Sequence, residues 1–322
     1  MGSKAVNKLS KGINENLFEF AEYDDGASER AGYSNYSYWQ STWNVFLKNK
    51  VAVFLLISMI FLLFFTIIQP YLPNQKSPTQ IHINESTKVQ IRNNQPDSEF
   101  WFGTNSIGQD IWARIWSGSR TSLLIGITVG LWEAVVGIII GALWGYVRWL
   151  DRPITEMYNV IDNIPKTIIL VLLTYILRPG LITMIFAMCL TGWIHMARFV
   201  RNLIIILRDR EYNLASKCLG TPTRRIITKN LLPYLVSVIM LRFALSIPET
   251  IGYEVFLTYI GLGLPVSIPS LGNLINEGRK LMMVPSLRYQ LIFPALVISL
   301  ITISFYVMGN VFSDAADPRN HV

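Results

Sequence analysis

From Val51 to Leu72 the chain runs 22 residues without a charged side chain. A bilayer core takes about 20 apolar residues in helical form, because each backbone N–H and C=O there needs an internal partner. Such a run reads as a membrane span and dictates the solvent the rest must fold in. Five more runs qualify, at 122–146, 157–177, 181–197, 235–262 and 289–312. Composition agrees: 51% of the 322 residues are hydrophobic and 15% charged, against about 25% charged in soluble domains. The expected fold class is an all-α membrane protein with six transmembrane helices. The third run is interrupted by Asp162, Pro165 and Lys166, and Arg178-Pro179-Gly180 predicts a tight turn into the fourth.

The 28 Lys and Arg exceed the 21 Asp and Glu, for a net charge of +7. With the N-terminus placed in the cytoplasm, 17 basic residues lie inside and 9 outside. The positive-inside rule then puts both termini in the cytoplasm, in a multi-pass protein of the cell membrane. The same distribution accounts for the surplus charge without nucleic acid. Residues 1–47 are polar and lack a cleavable signal, so the first span is expected to be retained. Cys189 and Cys218 are expected to be free thiols, and no metal site is expected.

The chain divides into a cytoplasmic tail, 1–47; a first span, 48–72; an extracytoplasmic segment, 73–120; a core of five spans, 121–312; and a short cytoplasmic tail, 313–322. Residues 1–37 are expected to be mobile unless a partner orders them. Near the end of the first tail, Trp39, Trp43, Phe46 and Leu47 share one face of a helix that would lie in the membrane interface. Within the core, a long cytoplasmic loop spans 198–234 and an external one 263–288.

Two spans carry informative faces. Gly126, Gly130, Gly137, Gly141 and Gly145 are spaced by four and seven, which predicts one close-packed helix face. Glu133 shares that face and is expected to point at protein, either as a hydrogen-bonded structural group or as a functional one. In the fifth span Arg242, Ser246, Glu249 and Tyr253 form a second stripe, readable as a water-accessible lining or as a structural network. Arg242 and Glu249, two turns apart, are not expected to pair on a straight helix. Glu254 falls off this face, near the external end.

The cytoplasmic loop reads as helix, turn, helix. Glu211 suits a first turn and Lys217 a last one, and Gly220 the left-handed position that ends a helix. Thr221 is expected to cap the next helix, with Pro222 at its first position. Tyr212, Ala215, Ser216 and Leu219 share a face. By periodicity alone this helix could simply rest on the bilayer interface.

These residues also resemble a known pattern. Residues 211–233 resemble the cytoplasmic signature loop of ABC importer permeases, which reads Glu-Ala-Ala, then Gly, then Leu-Pro; Gly220, Leu232 and Pro233 match. Leu214-Ala215-Ser216 stands where the triplet would be, with Glu211 one turn earlier. Phe102-Gly103-Thr104-Asn105, with Gly108, Asp110, Arg114, Gly118, Arg120 and Ser122-Leu123, resembles the segment before the core in C-type oligopeptide and dipeptide permeases. Asn105 and Gln109 replace the usual Asp and Arg. Glu254-Val-Phe-Leu-Thr-Tyr-Ile-Gly261-Leu-Gly263 and Asp314-Ala-Ala-Asp317-Pro318-Arg319 resemble that family's later motifs.

The resemblance implies a type I importer permease of six spans, closest in wording to Gram-positive oligopeptide permeases. It implies a homologous second permease, two cytoplasmic ATPase subunits and an extracytoplasmic peptide-binding protein as partners. Glu211, Tyr212, Leu214, Ala215, Ser216, Gly220, Leu232 and Pro233 would couple to an ATPase; Arg242, Ser246, Glu249, Tyr253 and Glu254 would lie along the substrate path. No phosphate-binding loop is present, so no catalytic residue is expected and the chain binds no cofactor of its own. ATP and Mg would be used by the partners. The rivals are an importer of dipeptides, nickel or another small solute, for which His195 is thin support, and an ATP-independent channel.

Overall fold

The computed structural model describes residues 38–86 and 88–316. Residues from Thr42 onward form one compact unit. Helix α1, Tyr38–Lys48, leads into α2, Lys50–Ile68, whose start is capped by Asn49 Oδ1 accepting from the amides of Val51 and Ala52. The core follows with α3 (Ile111–Tyr146), α4 (Arg148–Asp162), α5 (Lys166–Leu177), α6 (Leu181–Arg208), α7 (Glu211–Cys218), α8 (Leu232–Tyr259), α9 (Leu271–Lys280) and α10 (Tyr289–Ala315). Among the described residues five helical stretches are long and apolar enough to cross a membrane, and six if α4 and α5, bent by 77° across a short break, make one span.

Several expected span ends move, for one physical reason. Hydropathy stops a span at a charge, whereas the helix continues wherever protein groups pair that charge. Helix α3 begins eleven residues before the expected 122, capped by Asp110 accepting from the Ala113 amide. Its early turns carry Arg114, paired with Glu277 at 2.7 Å, and Arg120, whose Nε donates to the Thr66 carbonyl at 2.9 Å. Helix α6 likewise overruns the expected end at 197. Arg198 meets Asp162 at 3.4 Å, Arg201 meets Asp151 at 2.6 Å, and Arg208 donates to the Gly145 carbonyl. The stretch 198–208, expected in a loop, is therefore helical.

The third span is not continuous. Helix α5 has 12 residues, about 18 Å of rise, too short for a core of about 30 Å. The loop 263–288, expected to be external, contains α9, whose first turn is capped by Ser270 accepting from the Asn273 amide. Phe46, expected on an interfacial face, is instead buried against Phe312, while Trp43 and Leu47 are about half exposed. The Trp39 side chain, the tail 1–37 and residues 317–322 with their Asp317-Pro318-Arg319 lie outside the described residues.

The glycine face of α3 serves two neighbours rather than one. A Cβ at Gly126 or Gly130 would touch Ile247 or Ser246 of α8; one at Gly137, Gly141 or Gly145 would enter α6. At Gly141 it would lie 2.3 Å from the Ala197 carbonyl oxygen. Helices of 3.6 residues per turn drift around a strict seven-residue spacing, so the stripe rotates from one partner to the next. Helices α3 and α6 run parallel, from the end bearing 73–110 and α9 to the end bearing α7; α8 returns between those ends.

Candidate functional site: a free helix and a charged face

At one end of the bundle stands α7, eight residues long, with Glu211 in its first turn and Lys217 in its last. Gly220, at φ +79°, ends it. The Thr221 amide donates to Ser216 O at 3.1 Å and the Gly220 amide to Lys217 O at 3.0 Å, the paired bonds of a Schellman stop. The next helical turn starts at Thr223, with Pro222 at the cap position and no side-chain bond from a cap. Thr221 does not cap it, because the helix starts one residue later than expected and Pro222, with extended backbone, takes the cap position.

Glu211, Tyr212, Leu214, Ala215 and Gly220 are exposed; Ser216 is half-buried, its hydroxyl donating to Tyr212 O and accepting from Asn230. One side chain of the helix is buried, Asn213, whose Nδ2 donates to the Leu207 carbonyl at 2.8 Å. Periodicity gave no sign of this anchor, since a lone Asn in a polar loop fits any exposed position. A cavity of about 270 Å³ lies beside it, lined by Tyr146, Arg148, Asp209 and Lys217 among others. From α7 the chain passes through widened π-type turns, Ile226–Leu231, before Leu232 and Pro233 open α8. Ile226, Ile227 and Leu231 are buried among Ala142, Val200 and Ile204. The chain leaving the free helix is thus anchored in the packed bundle by these three buried side chains.

Midway along the bundle lies the second feature. Arg242 and Glu249 do pair, at 3.5 Å, each about a third exposed. Seven residues of helix span about 10.5 Å, which two long side chains extended toward each other can close. Glu133 of α3 pairs with Lys166 of α5 at 3.7 Å, both largely buried, and the Lys166 ammonium lies 4.5 Å over the Tyr253 ring. Gly192 makes room for Glu133, since a Cβ there would fall 1.5 Å from its Oε1.

Two of the expected path residues point elsewhere. Ser246 is buried in the α3–α8 seam beside Gly130, its hydroxyl donating to Phe243 O. Glu254 has no exposed surface; Ser122 donates to its Oε2 at 2.6 Å while accepting from the Leu271 amide. It fastens α8 to α3 and to the start of α9, so it is a packing group rather than a lining one. Arg242, Glu249 and Tyr253 remain on the open side, joined there by Lys166 and Glu133. Their charges interrupting apolar runs were visible in sequence; their meeting was not. His195 faces Asp162 at 3.7 Å, and among the described residues no group of three or more His, Cys, Asp or Glu could hold a metal ion.

Comparison with known proteins follows this geometry. Residues 135–322 match the family described as the binding-protein-dependent transport system inner membrane component, and residues 37–96 match the N-terminal transmembrane domain of oligopeptide transport permease C. The oligopeptide transport system permease AmiD of Streptococcus pneumoniae is 38% identical, over 96% of this chain and 99% of its own. The dipeptide transport permease DppC of Bacillus subtilis is 36% identical, over 88% of this chain and 86% of its own. The oligopeptide permease OppC of the same organism is 32% identical, over 95% and 98%. The chain accordingly belongs to the binding-protein-dependent inner-membrane transport permeases, with the all-helical, membrane-spanning build described above.

Proposed function

We propose that the chain is one of two permeases of an ATP-driven importer of oligopeptides, with both termini and α7 on the cytoplasmic side. The observation that carries this reading is α7 itself. An exposed eight-residue helix, held by one buried side chain and joined to the bundle through buried Ile226, Ile227 and Leu231, is built to be moved by something else. A helix resting on lipid would not need that connection, and neither would a channel.

In this mechanism α7 seats in a groove of an ATPase subunit. Ala215, Ser216 and Gly220 permit close approach, Glu211 supplies a polar tether, and Tyr212 and Leu214 supply apolar contact. ATP, with its Mg²⁺, is hydrolysed by the ATPase subunits; their closure displaces α7 as a rigid body and swings α8 through Leu232 and Pro233. Peptide, delivered by an extracytoplasmic binding protein, crosses between the two permeases along the side bearing Arg242, Glu249 and Tyr253. Charged side chains in mid-membrane cannot face acyl chains cheaply, which supports water or a polar partner there. Dipeptides are the second reading, favoured by the 36% identity to a dipeptide permease.

The test is affinity purification of the full chain from its membrane. A second permease and ATPase subunits should come with it, and should be lost with Ala215→Arg or Gly220→Lys while the chain still inserts. Recovery of the wild-type chain alone, in detergent that preserves a control importer, would overturn the reading.

A further inference from the structure

The mid-membrane charges form a balanced set. Glu133 and Lys166 are the inner pair, with side chains 10% and 13% exposed; Arg242 and Glu249 are the outer pair, at 37% for Glu249 and 34% for Arg242. A void of about 10 Å³ between α3, α6 and α8 brings Glu133 of the inner pair up to Arg242 of the outer one, with Gly192 and Ser246 also in its lining. The inner pair is immobilised: Gly192 admits the Glu133 carboxylate, and Lys166 is fixed between that carboxylate and the Tyr253 ring at the break between α4 and α5. The outer pair is held on one helix by two flexible side chains at 3.5 Å, without that enclosure.

Resting on the importer reading above, we infer that Arg242–Glu249 is the charge-exchanging rung of the peptide path and that Glu133–Lys166 is the fixed backing that positions it. A charged peptide group entering a poorly hydrated passage needs a counter-charge. A pair already neutralised within the protein provides one by exchange. A cationic group takes the place of Arg242 at Glu249, an anionic one takes the place of Glu249 at Arg242, and the pair closes again behind it. Because the pair is bound to itself between passages, neither charge traps cargo, and peptides of either sign pass at comparable rates. Lys166 touches no cargo in this scheme; it holds Glu133 and Tyr253 where they face the outer pair.

The test uses the complete assembly, with both permeases, ATPases and binding protein, in proteoliposomes. The probes are Ala-Ala-Ala, Ala-Lys-Ala and Ala-Glu-Ala, each saturating the binding protein. The readout is the ratio of maximal uptake rates for the lysyl and glutamyl peptides within one preparation, which cancels partial loss of folded protein. Arg242→Gln should shift that ratio about tenfold toward the lysyl peptide and Glu249→Gln about tenfold toward the glutamyl one, each close to 1.4 kcal/mol. The double swap Arg242→Glu with Glu249→Arg should keep Ala-Ala-Ala uptake near wild type, and it serves where a single variant fails to assemble. Lys166→Gln should shrink the wild-type tolerance of both charges together with a rise in KM.

Equal loss for all three peptides in the single variants, or a swap that abolishes uptake of Ala-Ala-Ala, would overturn the inference and leave the pair as a structural brace. Failure of the wild-type assembly to take up any of the three would instead overturn the importer reading on which it rests.

Discussion

The two ends of the bundle are built on opposite plans. At the end bearing residues 73–110 and α9, the side chains are tied across long sequence distances. Buried Arg114 holds Glu277 and Gln109, Asn105 reaches the same Glu277, and Tyr289 donates to the Asn94 carbonyl in the segment between α2 and α3. Fully buried Glu254 and Ser122 fasten the start of α9. At the other end α7 is held by Asn213 and is otherwise largely exposed. One end resists deformation and the other offers a handle. That asymmetry suits a machine driven from one side, since force applied to a handle does work only against something that stays put.

The comparison can be broken from its common frame first. Gly141→Leu puts a side chain where a Cβ alone would sit 2.3 Å from the Ala197 carbonyl; overpacking here should cost more than about 3 kcal/mol. Both ends should fail together, read as loss of folded chain on size-exclusion chromatography. Next, Glu277→Ala leaves Arg114 buried without its partner. With Glu277 about one-fifth exposed, the cost should be about 2–3 kcal/mol, below the fully buried case. Protease sensitivity should rise between residues 77 and 108 while the proposed ATPase partners are still recovered with the chain.

Asn213→Ala should do the reverse. Losing one buried hydrogen bond costs about 1 kcal/mol, which leaves the chain folded. Transport per ATP hydrolysed should drop several-fold, because the handle is no longer fixed to α6. Unchanged coupling in this variant would refute the handle.

The smallest effect is a pH dependence confined to the stiff end. Burial lowers the pKa of His82 from the ordinary 6.5, with the Lys76 charge adding to it. The unfolded segment therefore takes up a proton before the folded one. The stability this residue contributes is fully present above pH 6.5 and falls as pH drops from there through the folded pKa. Amide exchange around 82–108 should quicken at pH 5 relative to pH 7.5, after correction for intrinsic rates, with no matching change in α7. Equal quickening at both ends would erase the distinction.

Much of this was legible in the residues. The charge-free run 51–72, the glycine spacing in α3 and the Gly220 stop each depend on a property of one helix or one turn, and local chemistry settles those. The charged face was half legible. Glu133, Lys166, Arg242 and Glu249 each stood out as ions inside apolar runs. A helix read as a straight rod gave no reason to bring Arg242 to Glu249, and no sequence spacing links α3 to α5. Asn213 carried no signal, because its importance lies in what it bonds and not in what it is; Ser122 stood out only within the resemblance, without its bond to Glu254.

By itself, then, the sequence determined a helical membrane protein, the face on which α3 packs and the turn that frees α7. Hydropathy, glycine spacing and left-handed turns act over a few neighbouring residues. Tertiary structure decided where α3 and α6 end, that the third span breaks, that Glu254 is a fastening, and that four scattered ions form two pairs. Each of those depends on whether a charge or hydrogen-bonding group finds a partner on another helix. In a low-dielectric interior the cost of a polar group is set by its partner, and its partner exists only once the chain has folded.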